Sequence, residues 1–219
     1  MHDNNTYYRT FNNYGYIETT FSESQLEPIK NEIDEYKKSN TEYEVGTITE
    51  EYRLEKSLKY IENLLLPYCK QYDEIFEYTS ETINQEMPLY LDNVWVNFQR
   101  KHEFNPSHTH SGVFSFVLWI DIPYNIEDEI AHESSRFMKV LSERLVVPGH
   151  FQISYTSSIG SILQYYIPAD KTYNSKLILF PSSMVHTVFP FYTSDKPRIS
   201  VAGNFKLNKL EFAGLPNRF

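Results

Sequence analysis

The sequence has little cysteine and a shortage of positive charge, and each shortage excludes a class of protein. Cys69 is the only cysteine in 219 residues, so an internal disulfide is impossible and a reducing cytoplasm is expected. The 20 lysine and arginine residues face 29 aspartate and glutamate residues, for a formal net charge of −9. Such an acidic chain releases no counterions from a phosphate backbone, so we expect no nucleic-acid partner.

Long apolar runs are also missing. The longest run, residues 113–122, contains Ser115 and Asp121 and is far too short to cross a bilayer. No basic, apolar leader follows Met1. We therefore expect a cytoplasmic protein with no membrane partner, and no pattern in the sequence predicts an oligomeric state.

The first 88 residues predict a layer of helices. Apolar residues over 26–36 recur at helical spacing after Ser22, a candidate N-cap. A second apolar face over 54–65 leads to Pro67, where a break or kink is predicted. Neither helix carries a motif with evident chemistry.

The pattern changes to short strands after residue 88. Six or seven apolar segments, separated by turn signals, predict an antiparallel sandwich or barrel rather than βαβ units. We predict one α+β domain over 1–219, in which the helical layer 1–88 packs against a jelly-roll-like core over 89–207. A charged insertion at 124–149 interrupts the core. It is interpreted either as a lid over a site or as a surface helix that covers a sheet edge.

Three histidines are candidate metal ligands. His108 and His110 lie two residues apart in a segment that reads as extended, so their side chains point to the same side. Neutral imidazoles bind iron, zinc, copper and nickel, although a His-x-His pair alone is a weak signal. His186 follows a buried-looking strand near a proline turn. A jelly roll brings distant strands together, so His186 can join the pair.

An arginine near the end of the core is a candidate anion site. Arg198, Ser200 and Asn204 share one face of a predicted strand. An inward-facing arginine needs an anion, because an unpaired buried charge is costly. Its planar guanidinium suits a carboxylate, and a nearby serine adds a hydrogen bond. The alternative is a salt bridge with one of the chain's own acidic side chains.

Two stretches of the sequence together resemble a known family. They are "WVNFQRKHEFNPSHTHSGVFSFVLWIDIP", which begins at Trp95, and "KLILFPSSMVHTVFPFYTSDKPRISVAGNF", which begins at Lys176. They are similar to iron(II)- and 2-oxoglutarate-dependent oxygenases, in a branch with a His-x-His pair, a distal histidine and an Arg-x-Ser motif. The second stretch is the more specific. The resemblance covers roughly residues 90–207, and the N-terminal 88 residues match no motif.

The resemblance implies a fold, a set of cofactors and a set of roles. The fold is a double-stranded β-helix of the jelly-roll or cupin-like kind. His108 and His186 match the first and distal iron ligands. Arg198 matches the arginine that binds the far carboxylate of 2-oxoglutarate, with Ser200 beside it. Fe(II), 2-oxoglutarate and O2 are the implied cofactors. The implied reaction is hydroxylation of an unidentified small-molecule or peptide substrate, with release of succinate and CO2.

The sequence departs from the family at the third ligand. The usual triad has a carboxylate two residues after the first histidine, where this chain has His110. His110 can itself be the third ligand, which is our preferred hypothesis. Alternatively, Glu103 or Asp121 completes the triad, or the site has lost its redox chemistry.

Two weaker candidates and two alternative functions remain at this point. Asn97 can bind the cosubstrate or be a satisfied core amide. Trp119 falls where related sequences often carry an aromatic residue near the cosubstrate, but packing alone would explain it. The alternative functions are a cupin-like dioxygenase with three histidines that does not use 2-oxoglutarate, and a non-catalytic jelly-roll binding protein.

Overall fold

The computed structural model describes residues 13–39, 50–79, 88–140 and 145–207. In these ranges the helices are α1 (Glu23–Ser39), α2 (Leu58–Phe76) and α3 (Ile126–Ala131). The strands are β1 (Ile17–Thr20), β2 (Glu51–Arg53), β3 (Leu89–Gln99), β4 (Asn105–His108), β5 (Phe114–Asp121), β6 (Lys139–Val140), β7 (Leu145–Val146), β8 (Phe151–Thr156), β9 (Ile162–Ile167), β10 (Lys176–Pro181), β11 (Val185–Val188) and β12 (Arg198–Leu207). Short 3-10 helices span Glu133–Phe137 and Lys171–Tyr173. Both ends of the predicted domain, and residues 141–144 of the predicted insertion, lie outside the described residues.

The core consists of two antiparallel sheets. The larger has the strand order β1-β10-β5-β12-β3-β2, and the smaller has the order β4-β11-β8-β9. From β3 to β12 the chain passes repeatedly between the two sheets, apart from the separate β6–β7 hairpin. Apolar side chains of both sheets, including Ile178, Phe180, Phe151 and Ile153, form one buried cluster between them. The predicted double-stranded β-helix and the α+β class are confirmed.

The helices pack on the outer face of the larger sheet. Leu26 and Ile29 of α1 and Leu65 of α2 are at most 1% exposed. They share a second core cluster with the outward-facing residues of β3, β5, β10 and β12. Because alternate residues of a strand point to opposite faces, β5 and β10 contribute apolar side chains to both clusters.

The structure differs in two ways from the helical prediction for residues 1–88. The strands β1 and β2 lie in this region and form the two edges of the large sheet. They are only four and three residues long, too short to produce a recognisable alternation. In addition, α2 continues through Pro67, so the predicted break is wrong. Burial of Leu65 and Cys69 on either side of Pro67 outweighs the one hydrogen bond that proline removes.

A buried carboxylate joins the two long helices. Glu32 of α1 is 4% exposed. One of its oxygens accepts hydrogen bonds from the backbone of Glu55 and Lys56 at 2.8 and 2.9 Å. The other accepts from the backbone N–H of Ser57 at 2.6 Å and from the Ser57 hydroxyl. Glu32 therefore satisfies backbone N–H groups at the start of α2 that have no partner within the helix.

We predict that Glu32→Ala lowers the free energy of unfolding by about 3 kcal/mol, because it leaves several buried donors without acceptors. Urea unfolding followed by circular dichroism measures the change. Glu35→Ala is the matched control, since the Glu35 carboxylate is solvent-exposed and pairs with Lys56 on the surface. Equal stability of the two variants would contradict this role for Glu32.

Candidate active site

Pairing of two strands brings the three predicted histidines together. β4 and β11 are antiparallel neighbours, and His108 lies directly opposite His186 in their register. His110 follows two residues after His108, and its backbone N–H donates to the Ser182 carbonyl at 2.9 Å. One ring nitrogen from each histidine lies within 4.8 Å of those of the other two. The histidines that sequence spacing singled out therefore converge in space.

Backbone carbonyls orient two of the three rings. His108 Nδ1 lies 2.6 Å from the Pro106 carbonyl oxygen, and His186 Nδ1 lies 3.0 Å from that of Met184. A carbonyl oxygen only accepts, so Nδ1 is the protonated nitrogen that donates, and Nε2 keeps its lone pair. This is the arrangement by which proteins usually fix a metal-binding imidazole.

Burial keeps two of the imidazoles neutral. It lowers the pKa of His186 to about 3 and that of His110 to about 4, with the other histidines of the cluster adding smaller contributions. Phe151 stacks on the His186 ring at 5.5 Å between centroids, and Phe180 meets that ring edge-on at 5.1 Å. His186 and His110 thus offer neutral nitrogen donors beside His108, which fits a divalent metal of the iron and zinc type.

Neither predicted outside carboxylate belongs to this cluster. One group of histidine, cysteine or acidic side chains in the described ranges has the spacing to hold a metal ion. It consists of His108, His110 and His186. Glu103 instead accepts a hydrogen bond from the Arg100 backbone at 2.7 Å. Asp121 is exposed at the end of β5. The geometry therefore favours His110 over either carboxylate as the third donor.

Arg198 is buried near the cluster without an acidic partner. It is 2% exposed. Its Nε donates to Gln99 Oε1 at 3.1 Å, and its Nη1 donates to the Tyr124 hydroxyl at 2.7 Å. Its Nη2 donates to the carbonyl of Phe189 at 3.3 Å. No carboxylate of the described chain forms an ion pair with it, so the intramolecular salt bridge is not formed there. A buried guanidinium whose partners are all neutral suits an anionic ligand.

Arg198 and the three histidines line one cavity, together with Ser200, Asn97 and Trp119. The register explains this, because Ser200 of β12 lies opposite Asn97 of β3 on one side and Trp119 of β5 on the other. The three side chains therefore form a row across the floor of the cavity, next to Arg198.

Asn204 has a different environment from Arg198 and Ser200. Its amide oxygen accepts from Ser115 Oγ at 2.7 Å, and its amide nitrogen donates to Asn93 Oδ1 at 3.2 Å. Asn204 is thus a satisfied buried amide that ties β12 to both neighbouring strands.

Three further residues of the site were not predicted. Gln99 shares the cavity face of β3 with Asn97, so strand alternation could have found it. Tyr124 and Gly149 begin and end the insertion, and neither belongs to a periodic pattern. The Tyr124 hydroxyl donates to the Gly149 carbonyl at 3.3 Å while it accepts from Arg198. Burial raises the pKa of Tyr124 to about 12, so this hydroxyl keeps its proton.

Hydrogen bonds at a second place, which does not include Arg198, also hold the insertion. Glu129 of α3 is fully buried, and its carboxylate accepts from the backbone N–H groups of Tyr192 and Thr193 at 2.7 and 2.9 Å. Ser135 is buried as well and donates to the Glu129 carbonyl at 2.6 Å. The described part of the insertion is therefore held at two places, by Arg198 at its ends and by the Glu129 contacts in its middle.

Comparison with known proteins identifies the family of the chain. Residues 93–204 match the family model described as "Putative 2OG-Fe(II) oxygenase", and the chain belongs to this family. It is accordingly a non-haem iron oxidoreductase whose cofactors are Fe(II) and 2-oxoglutarate, with O2 as cosubstrate. A search of curated proteins found no match. No helix of the described ranges is long and apolar enough to cross a membrane.

Solved structures share the fold at low sequence identity. A prolyl-4-hydroxylase from Pseudomonas putida is 13% identical with a TM-score of 0.53, over 88% of this chain and 93% of that chain. An oxidoreductase of the 2OG-Fe(II) oxygenase family from Burkholderia pseudomallei is 14% identical with a TM-score of 0.53, over 88% and 84%. The α-ketoglutarate-dependent carbocyclase SnoK from nogalamycin biosynthesis is 10% identical with a TM-score of 0.54, over 89% and 80%.

We predict that the metal-free protein loses stability as the pH falls below 6.5. The pKa values of His186 and His110 are lowered from 6.5 in the folded chain, so in this range the unfolded chain binds protons that the folded chain does not. Each such group makes unfolding easier by about 1.4 kcal/mol per pH unit. Urea unfolding with a chelator at several pH values measures the slope. His186→Gln should reduce it, and an unchanged slope would contradict the assignment.

Proposed function

We propose that this protein is a 2-oxoglutarate-dependent dioxygenase that hydroxylates a small-molecule or peptide substrate and releases succinate and CO2. In this proposal His108, His110 and His186 hold the iron. One observation carries it: three converging histidines share a cavity with a buried arginine that has no carboxylate partner. The histidine cluster suits the metal-chelating end of a 2-oxo acid, and Arg198 suits its far carboxylate.

The oxo acid is proposed to lie between the histidine cluster and Arg198. The guanidinium binds its far carboxylate through charge-assisted hydrogen bonds, and the Ser200 hydroxyl lies beside it. Gln99 and Tyr124 hold the guanidinium in place through its Nε and Nη1. They are neutral, so they orient the charge without cancelling it.

The row of side chains beside Arg198, which consists of Asn97, Ser200 and Trp119, is proposed to border the cosubstrate. Trp119 is 2% exposed, and its ring meets Phe151 at 6.0 Å between centroids. Together with Val117 and Val188 these rings give the cavity apolar walls, which exclude water from the reacting centre. Asn97 is 8% exposed and adds a polar group on the side toward β2.

His110 is proposed as the third iron ligand. When bound, iron with 2-oxoglutarate and O2 supplies the oxidation that yields succinate and CO2 and inserts oxygen into a substrate C–H bond. Three neutral imidazoles leave the charge of Fe²⁺ to be balanced by the 2-oxoglutarate dianion alone. The usual carboxylate ligand would make the same assembly −1, so this chain should hold its cosubstrate in a less anionic site.

Anaerobic titration of Fe(II) and 2-oxoglutarate tests the proposal. We expect the weak visible charge-transfer band of a 2-oxo acid chelated to Fe(II). Arg198→Ala should weaken 2-oxoglutarate binding, because the far carboxylate loses its cation, and His110→Ala should weaken iron binding. His110→Asp should retain the band, since it restores the usual carboxylate.

The other outcomes separate the competing hypotheses. A band that survives His110→Ala at full affinity would place the third ligand elsewhere. Iron binding without a band would favour the cupin-like dioxygenase that does not use 2-oxoglutarate. A protein that binds no iron would exclude both enzymes and leave the non-catalytic binding protein.

We predict that Tyr124→Phe raises the dissociation constant for 2-oxoglutarate about threefold to tenfold, since it removes one neutral partner of the Arg198 guanidinium. Titration of the charge-transfer band with 2-oxoglutarate measures the change. Tyr60→Phe is the matched control, because the Tyr60 hydroxyl donates to the Gln25 carbonyl in the helical layer. Equal constants in both variants would show that Tyr124 only packs against Arg198.

A further inference from the structure

A carboxylate of β2 lies on the cavity side of the large sheet. β2 pairs with β3 so that Glu51 is opposite Asn97 and Arg53 is opposite Trp95. Directly opposed residues of an antiparallel pair point to the same face, and both Asn97 and Trp95 line the cavity. Tyr52, between the two β2 residues, points to the helical layer. Glu51 therefore extends the cavity face beyond β3.

Hydrogen bonds connect Glu51 through Asn97 to Trp95, whose ring lies beside the histidine cluster. With the Asn97 amide oriented to satisfy its neighbours, its nitrogen donates to Glu51 Oε2 at 2.8 Å, and its oxygen accepts from Trp95 Nε1 at 3.2 Å. The Trp95 ring then lies 5.8 Å from the His110 ring between centroids. The carboxylate, amide and indole thus occupy defined positions next to the three histidines.

Glu51 has no cation of its own. In the described part of the chain, no lysine, arginine or histidine nitrogen forms an ion pair with its carboxylate. Arg53, two residues further on the same face, is exposed and acts on Glu51 only through a longer-range attraction. Burial raises the pKa of Glu51 to about 7. Burial thus disfavours the charged form of this carboxyl, and a bound cation would offset that cost.

We propose that the substrate carries an ammonium or guanidinium group, and that Glu51 binds this group at the rim of the cavity. The inference rests on the proposed function, which places the reacting centre at the histidine cluster. Glu51 Oε2 accepts from the Asn97 amide, and no donor among the described residues occupies Oε1, so Oε1 can accept from a ligand. The half-buried Trp95 ring offers an aromatic face to the same cation. The net charge of −9 attracts cationic ligands at longer range.

A purely structural role for Glu51 would be to orient Asn97. Glu51→Gln separates the two roles, because the glutamine oxygen still accepts from the Asn97 amide while the negative charge is gone. Glu50→Gln is the matched control. Glu50 is the adjacent carboxylate, but it contacts Arg100 at 3.0 Å and Tyr52 at 3.3 Å, so its removal changes the total charge equally without touching the cavity.

The indole resonances of the two tryptophans report on this site. The chain contains only Trp95 and Trp119, so an indole 15N–1H spectrum has two signals, which Trp119→Phe assigns. The full chain is loaded with 2-oxoglutarate and Zn(II), a diamagnetic substitute for Fe(II). It is then titrated at constant ionic strength with n-butylammonium or methylguanidinium, and with n-butanol as the neutral probe.

We expect both cations to shift the Trp95 signal saturably, and n-butanol not to do so. Glu51→Gln should weaken the apparent affinity for the cations at least about tenfold, because a charge-assisted hydrogen bond is lost. Glu50→Gln should leave it as in the wild type, and an unmoved Trp119 signal shows that each variant is folded. No shift with either cation, or equal shifts in wild type and Glu51→Gln, would overturn the inference. Failure of the proposed function shows separately, as absence of the Fe(II)–2-oxoglutarate band.

Discussion

The pairing of β4 with β11 is the contact on which the site depends. It places His108 opposite His186, two residues that lie far apart along the chain, and it presents both rings to the space between the sheets. The preceding residues then orient these rings through backbone carbonyls. Hydrogen bonds of the β-ladder and of the i−2 carbonyls thus set the donor geometry before any metal binds. Burial against Phe151 and Phe180 lowers the pKa of His186 and so favours its neutral form.

The other constraint is the cost of burying Arg198. The chain offsets this cost with hydrogen bonds from Arg198 to Gln99, Tyr124 and a backbone carbonyl, all of which are uncharged. Such partners reduce the desolvation penalty while the positive charge remains available to a ligand. Because Tyr124 and Gly149 come from the two ends of the insertion and both accept from Arg198, this segment forms part of the surroundings of Arg198. Glu129 then fixes the insertion to the loop that leads into β12.

Glu51 shows how the N-terminal region contributes to the cavity. The two long helices bury their apolar faces against the outer surface of the large sheet. The short strand between them adds Glu51 to the inner surface. A region without a recognisable motif therefore borders the site through one strand pairing. In our proposal this region specifies the substrate, while the double-stranded β-helix supplies the chemistry common to the family.

The sequence by itself determined the fold class, the amphipathic helices and the candidates His108, His110, His186 and Arg198. These depend on local alternation, on helical periodicity and on motifs that lie within short stretches. Strand alternation also puts Gln99 on the face of Asn97, although it gives Gln99 no role. Only the tertiary structure decided that Arg198 has neutral partners, that Tyr124 and Gly149 border it, that α2 passes through Pro67, and that Glu51 reaches the cavity. The physical reason is that these features depend on strand register and on burial against residues distant in the chain, which no local pattern encodes.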